Sequence, residues 1–396
     1  MNHFEKDTII SGLGISRIGR RTGIPGIELT TESVRAAIDD AGLAPSDIDG
    51  VATFGDTPVP EVLDALGIQA EEVGAGFATG GVLIPVMSAC RAVAEGRARH
   101  VLVYRTVAML GGSMNQEASP MLAPLASPPV EPRAAGTRRK LKPFEDVDEL
   151  VAAHSYSAAN WLAMHCRRHM ELYGTTKEQL GWLAINSRRN AGLNPRAAFR
   201  DPMTMDDYLA ARPVSTPFGL FDCDVPIDGS IALVVSRADY APDCPSPAVT
   251  VEALGGAYGS GGWFHRDDFP KMASVEAAAE MWSRTDLTPA DVDVAELYDG
   301  FTFLTFAWLE ALGFCADGEA GPFVDGATRI ALDGALPLNT YGGQLSAGRM
   351  HGYWLLHEAC LQLRGQAGDR QLATRPEVAV AAAGGGPIAG CLLLTC

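Results

Sequence analysis

The chain is predicted to be an α/β protein built from two similar halves. Two observations carry that prediction. Short β-prone runs alternate with glycine-bounded helices, and one helix–turn–strand plan occurs twice in the same order. The composition bounds it: 396 residues at 47% hydrophobic and 20% charged suffice for two domains or one two-part core.

The first strand is expected at 8–13. A helix follows at 30–41, where Thr31 can cap the first turn and Val34, Ala37, Ile38 and Ala41 share one face. Gly42 stops it, Pro45, Ser46 and Asp47 turn the chain, and a second strand is expected at 51–54. A short helix at 60–66 precedes an apolar helix at 82–94, with Pro85 in the first turn where proline is tolerated. A buried strand is expected at 100–104. Residues 119–149 break the rhythm: Pro and Ala dominate, then Arg133, Arg138, Arg139, Lys140 and Lys142. Such a stretch is either a solvated loop surface or a basic patch for the phosphates of a nucleotide-bearing substrate. Helices follow at 152–173 and 176–190. His165 and His169, one turn apart, share a face. With no third ligand in view, packing histidines are favoured over a metal site. A turn into a strand is read at 227–236.

The repeat is explicit. Leu43, Pro45, Asp47 and Asp49 are echoed by Leu287, Pro289, Asp291 and Asp293, each set between a helix (31–41, 274–284) and a strand (51–54, 294–298). Thr79-Gly80-Gly81 and its helix correspond to Tyr341-Gly342-Gly343 and its helix, each leading to an apolar strand, 101–104 and 378–382. The two glycine loops are expected near an internal two-fold axis, each opening its helix. The prolines at 242–247 divide the chain into a half at 1–245, carrying a loop and helical insertion at about 107–215, and a half at 246–396.

Net charge is −17, which argues against a general nucleic-acid or membrane surface. Eight scattered cysteines without a Cys-x-x-Cys fit reduced thiols better than a disulfide framework or a zinc site. No apolar run reaches membrane-spanning length and the N-terminus opens no signal peptide, so a cytoplasmic protein is expected.

The densest chemistry lies at 339–354, where four glycines, two tyrosines, an arginine and a histidine fall within sixteen residues. Glycine permits close backbone approach; Tyr, His and Arg supply protons and positive charge. Together with the Phe77-Ala78-Thr79-Gly80-Gly81 run, the Asp228-Gly229 turn, Tyr298-Asp299-Gly300-Phe301 and the Gly384-Gly385-Gly386 loop, this stretch resembles the thiolase superfamily. The likeness is to its sterol carrier protein X and lipid-transfer-protein branch. It covers nearly the whole chain and implies a thiolase fold, two halves in a five-layered αβαβα arrangement.

The departures from that family redirect the chemistry. Phe77 stands where a working thiolase carries its nucleophilic cysteine, so an acyl-enzyme is closed off. Arg349, always protonated, replaces the base histidine of the glycine loop. Tyr298 replaces the histidine of the His-Asp-x-Phe motif, and Ala382 stands in place of the last cysteine. The surviving pattern resembles the thiolase-like aldolases of bacterial steroid side-chain degradation. The resemblance implies retro-aldol cleavage of a tertiary β-hydroxyacyl-CoA into a steroid ketone and propionyl-CoA, without a metal or other cofactor on this chain. Coenzyme A enters as part of the substrate. It also implies a homodimer core and a small OB-fold, zinc-ribbon partner, with any zinc held there.

On this reading Tyr298 is the base for the β-hydroxyl, and Tyr341, Tyr353 or His351 the acid. A free phenol has a pKa of about 10, so a base role needs positive charge nearby, for which Arg349 and His351 are candidates. Backbone N–H groups of Gly342, Gly343 and Gly385 are expected to form an oxyanion hole. Phe77, Trp263, Arg138 and Arg139 are candidates for substrate binding, Trp263 in an aromatic loop over an apolar substrate or against a partner. Tyr298, Tyr353 and His357 are alternatively core residues with satisfied polar atoms. Two other functions stay open: a non-catalytic acyl-CoA or lipid-binding subunit, and a thiolase or acyltransferase using Cys90.

Overall fold

The computed structural model describes residues 3–54, 57–75, 82–108, 146–258 and 262–396. Phe77, Arg138 and Arg139 lie outside them, as do the first glycine loop at 79–81 and most of the basic segment. The strands are β1 (Thr8–Ile15), β2 (Gly50–Thr53), β3 (Glu71–Ala75), β4 (His100–Ala108), β5 (Pro213–Ser215), β6 (Phe218–Gly219), β7 (Asp228–Arg237), β8 (Val249–Tyr258), β9 (Val294–Leu297), β10 (Val378–Gly385) and β11 (Ile388–Thr395). Nine of them form one mixed sheet in the order β3-β2-β4-β7-β1-β8-β11-β10-β9, with β5 and β6 a separate hairpin.

That order makes the duplication visible. Outward from the centre, β1 pairs antiparallel with β7, β7 antiparallel with β4, and β4 parallel with β2. The second half repeats the series: β8 antiparallel with β11, β11 antiparallel with β10, β10 parallel with β9. The halves meet where β1 runs antiparallel to β8 through only two residue pairs, Ile9 with Thr250 and Ile10 with Val249. Even the packing glycines recur. A Cβ on Gly14 would stand 2.0 Å from the Ser33 carbonyl of the helix Gly26–Asp40, and one on Gly255 2.0 Å from the Ala277 carbonyl of the helix Ser274–Trp282.

Alternating strand residues face two different cores, as a period of two requires. In β7, Ile231, Leu233 and Val235 join a central cluster, while Ala232 and Val234 pack with Val34 and Ile38 of the helix Gly26–Asp40. In β10 and β11, Ala381, Leu392 and Leu394 face the same central cluster, and Val380 and Leu393 face Ala277, Met281 and Trp308. The helices Ile84–Ala94 and Tyr353–Arg364 fill the centre with Cys90, Val93, Leu356 and Leu363. The layers are therefore helix, sheet, central helix pair, sheet, helix, with the two sheets joined at one edge.

Element boundaries differ from expectation for local reasons. The first helix begins one turn early, at Gly26, behind Pro25. The single helix expected at 152–173 is two, Val147–Ala152 and Ala158–Tyr173, separated where His154 takes φ +58°. The helix Thr302–Ala311, apolar on every face, carries no amphipathic signal and is found only in the structure. The insertion interrupts the first half in sequence but packs on the second: Trp161, Cys166, Leu180 and Leu183 share a core with Phe303, Phe306 and Trp308. His165 and His169, candidates for packing or metal, are packing residues. His165 Nδ1 faces the Trp161 carbonyl at 3.1 Å, and His169 bridges Thr175 Oγ1 (2.8 Å) and Glu310 Oε1 (3.0 Å). No helix among the described residues is long and apolar enough to cross a membrane.

A buried ion pair also links the halves: Arg284 Nε donates to Glu5 Oε1 at 2.6 Å and Glu5 is fully buried. Removing one partner strands the other charge. Glu5→Ala is expected to cost about 3–5 kcal/mol in denaturant unfolding, and the double variant Glu5→Leu/Arg284→Met clearly less, since no buried charge is then left unpaired.

Candidate active site

The loop after β9 and the stretch 339–352 are built around one carboxylate. Asp299, 1% exposed, accepts the backbone N–H of Gln344 at 2.8 Å and of Leu345 at 3.3 Å. Those amides open the single π-turn Gly343–Ala347. A Cβ on Gly343 would lie 2.0 Å from Asp299 Oδ2, and its φ is +60°, so only glycine lets the carboxylate approach. Burial pushes the Asp299 carboxyl up to about 7 against the pull of those N–H bonds. The rest of the turn is sewn on both sides. Val225 N–H donates to the Gln344 carbonyl and Arg349 N–H to the Val225 carbonyl, each at 2.9 Å, while Arg188 Nε donates to Ser346 Oγ at 2.9 Å. The second glycine loop therefore does not open its helix directly. The π-turn intervenes, and the helix starts at Tyr353 behind Gly352 at φ +95°.

Four side chains from both halves surround this turn. Tyr298 follows β9 directly and Phe54 follows β2, so both sit beyond the carboxyl ends of parallel strands, where open α/β sheets place ligands. Arg105, in β4 and 7% exposed, lies over the Phe54 ring at 4.4 Å and donates from Nη2 to His351 Nδ1 at 2.7 Å. His351 also stands 6.0 Å from Phe54 in a stacked geometry. A guanidinium can only donate, so Nδ1 is the acceptor and the neutral ring carries its proton on Nε2. Burial, then Arg105 and Arg349, hold the His351 pKa well below the ordinary histidine range. His351 is therefore neutral at physiological pH, with φ +50° and its backbone N–H on Gln344 Oε1 at 3.0 Å. Its Nε2–H is left as a donor, and the ring carries no second proton.

Arg349 reaches Asp224 Oδ1 at 3.4 Å, and Asp224 N–H donates to the Gly300 carbonyl at 3.1 Å, which seats this pair beside Tyr298. Burial raises the Asp224 carboxyl, with Arg349 opposing. Tyr298 is partly exposed. Burial and Asp224 raise its phenol above the ordinary tyrosine value, while Arg349, Arg105 and the Gln344 amide pull the other way. The raised pKa keeps the phenol protonated at rest.

The other expected residues occupy different surroundings. Tyr341 and Tyr353 are fully buried in the central cluster. Tyr341 stacks on Trp354 with ring centres 5.0 Å apart, and its hydroxyl has no hydrogen-bond partner among the described residues. Burial, with Asp299, Glu296 and Glu358, raises its pKa further. Gly342 donates its N–H to the Asn339 carbonyl at 3.0 Å and is committed to the turn, not to an oxyanion. Gly385 lies in β10, where a Cβ would meet Leu304 at 2.3 Å, a packing requirement. Trp263 is not an open aromatic flap. It is 7% exposed, its backbone N–H donates to Asp146 Oδ2, and its ring packs 4.9 Å from Trp161. His357 lies in the helix interior, 5% exposed. Cys90 is fully buried and its thiol is pushed up to about 12, which disfavours the thiolate a nucleophile needs.

Sequence reasoning missed Arg105, Asp224 and Phe54. Arg105 left a trace, a lone cation in the apolar run 100–108. Asp224 and Phe54 left none.

Comparison with known proteins agrees with this architecture. Residues 257–392 match the family model for a thiolase C-terminal domain-like unit. The chain is 33% identical to a steroid side-chain-cleaving aldolase of Thermomonospora curvata, over 97% of each chain. It is 32% identical to the 17-hydroxy-3-oxo-4-pregnene-20-carboxyl-CoA lyase of Mycobacterium tuberculosis, over 97% of this chain and 98% of that one. A solved structure described as an Ltp2-ChsH2(DUF35) aldolase superposes with TM-score 0.84 at 31% identity, covering 98% of both chains. The chain belongs to the thiolase superfamily, in its branch of lipid-transfer-protein-like carbon–carbon lyases.

Proposed function

We propose that this protein performs retro-aldol cleavage of a β-hydroxyacyl-CoA with a tertiary alcohol on a steroid side chain, releasing a ring ketone and propionyl-CoA. One observation carries the reading: Tyr298, the Asp224–Arg349 pair and the Arg105-bound His351 lie within electrostatic reach of one another, while Cys90, the thiol considered for acyl transfer, is buried and its thiol raised. The substrate class is supported by the relatives named above. A 17-hydroxyl beside a 20-carboxyl-CoA places the alcohol β to the thioester.

In this proposal the Asp224 carboxylate takes the hydroxyl proton as Arg349 swings toward the substrate. The bond between carbinol and α-carbon breaks, and its electron pair passes into the thioester enolate. His351 Nε2–H donates to the enolate oxygen, the part expected of the glycine amides. Tyr298, protonated at rest, then delivers its proton to the α-carbon. The raised Asp224 suits a base and the raised phenol an acid. Tyr341 and Tyr353, sealed in the central cluster, take no part in the scheme. No step of the scheme is assigned to a metal. Among the described residues no three His, Cys, Asp or Glu side chains gather as a metal site. A small OB-fold, zinc-ribbon partner, a homodimeric core and a cytoplasmic location complete the proposal. The related solved structure, an Ltp2-ChsH2(DUF35) aldolase, supports the partner.

The pH dependence of kcat/KM tests these roles. The rate is expected to fall at acid pH as Asp224 protonates, above the ordinary carboxylate pKa of about 4, and at alkaline pH as Tyr298 ionises above about 10. Tyr298→Phe and Asp224→Asn should each lower ketone release from a tertiary β-hydroxyacyl-CoA by about 10²–10⁴-fold, the second also removing the acid limb. A rate that climbs steadily with pH would return Tyr298 to the base role.

Arg105→Met removes the charge that disfavours the imidazolium. The His351 pKa, followed by NMR, should rise but stay below the ordinary histidine value, since burial and Arg349 still oppose the charge, and kcat should fall at acid pH as the ring protonates. An unmoved His351 resonance would contradict this role for Arg105. Cys90→Ala should keep full turnover; loss of turnover in a folded variant would revive the thiolase reading.

A further inference from the structure

A second polar cavity lies at the far end of the helix Tyr353–Arg364, whose first residue follows the active-site loop. Twelve residues at 1.5 Å each set the ends about 18 Å apart. The cavity measures about 340 Å³, and Arg196, His357, Arg364, Gln366, Arg370 and Asp40 are among the residues lining it. Three guanidinium groups therefore meet around one small space in a protein of net charge −17.

Two of these side chains are buried with unmet nitrogens. The Arg364 side chain is fully buried; its Nη1 donates to Asp40 at 2.6 Å and its Nη2 to the Ser11 carbonyl at 2.9 Å, but Nε has no partner among the described residues. His357 is 5% exposed and its Nδ1 likewise has no partner among them. Orphaned buried nitrogens beside a cavity mark a missing ligand or water. Charge decides between them. Asp40 and Glu358 offset Arg364 and Arg370, Glu358 through bonds of 2.8 and 2.9 Å, but Arg196 is exposed and has no side-chain partner among the described residues. The cavity therefore keeps one uncompensated cation. The same field acts on His357, which burial, Arg196, Arg364 and Arg370 push down to about 3. An oxyanion matches that environment better than water, because guanidinium groups bind phosphate through charge-assisted, fork-shaped hydrogen bonds.

We propose that this cavity is an oxyanion site for a phosphate group, with Arg196 closing over it and the neutral His357 ring and Gln366 amide as further donors. It is separate from the proposed catalytic site and does not depend on that reading. The phosphate is either free in solution or part of a coenzyme A molecule.

The test uses the full chain, following the His357 ring by NMR and binding by calorimetry. Inorganic phosphate, coenzyme A and 3′-dephospho-coenzyme A are titrated separately. A His357 response to phosphate without one to coenzyme A identifies a free oxyanion. A response to coenzyme A lost with its 3′-dephospho form identifies the nucleotide phosphate. Arg196→Ala, an exposed change that leaves the core intact, should weaken the responding ligand about tenfold. Silence of His357 toward all three ligands, or binding unchanged in Arg196→Ala, overturns the proposal.

Discussion

The Asp299 carboxylate holds the active-site turn in place. It is buried beneath Gly343 and accepts two consecutive backbone N–H groups, so the π-turn cannot relax into an ordinary helix without breaking both bonds. Tyr298 is its neighbour in sequence, and the turn it grips leads into Arg349 and His351. One residue thus sets the phenol on one side and the cation and imidazole on the other. Because the carboxyl sits at about 7, its charge is balanced near neutrality, where a proton weakens its hold on the turn. Chain geometry and protonation are coupled at this point.

Around that anchor, the fold uses its duplication unequally. The two halves share strand order, parallel edges and packing glycines, yet their side chains at the meeting point differ. The first half contributes Arg105 and Phe54, a cation lying on an aromatic ring; the second contributes Tyr298, Arg349 and His351. Arg105 fixes the tautomer of a histidine 246 positions away, and burial, with Arg105 and Arg349, disfavours a second proton on it. A buried guanidinium beside an imidazole is unfavourable for the imidazolium and leaves the ring a neutral donor. The proposed chemistry would draw on both halves, Asp224, Arg349, Tyr298 and His351 each contributing to one reaction.

Much of this was legible in the chain. Glycine-bounded helices, the repeated Leu-x-Pro-x-Asp-x-Asp turn and the alternating runs carried the α/β class and its two halves, because backbone periodicity and turn chemistry are local properties. The 339–354 stretch advertised a site through its density of glycines and ionisable groups, and Phe77 and Arg349 argued against acyl transfer by residue type alone. Which of the ionisable side chains stay accessible was not legible. Tyr298, Tyr341 and Tyr353 look alike in sequence, yet one is partly open beside Asp224 and the other two are sealed in the core. Gly342 and Gly343 also look alike, yet one amide closes a turn and the other glycine makes room for a carboxylate.

The sequence by itself determined the fold class and the duplication, and it pointed to the 339–354 loop and to Phe77 as the places to look. Those follow from residue identity and spacing over a few turns of chain. Only the tertiary structure decided which groups share the site: Arg105 with His351, Asp224 with Arg349, and the insertion packed on the opposite half. Desolvation and charge proximity set the pKa of each group, and both depend on neighbours brought from more than a hundred residues away.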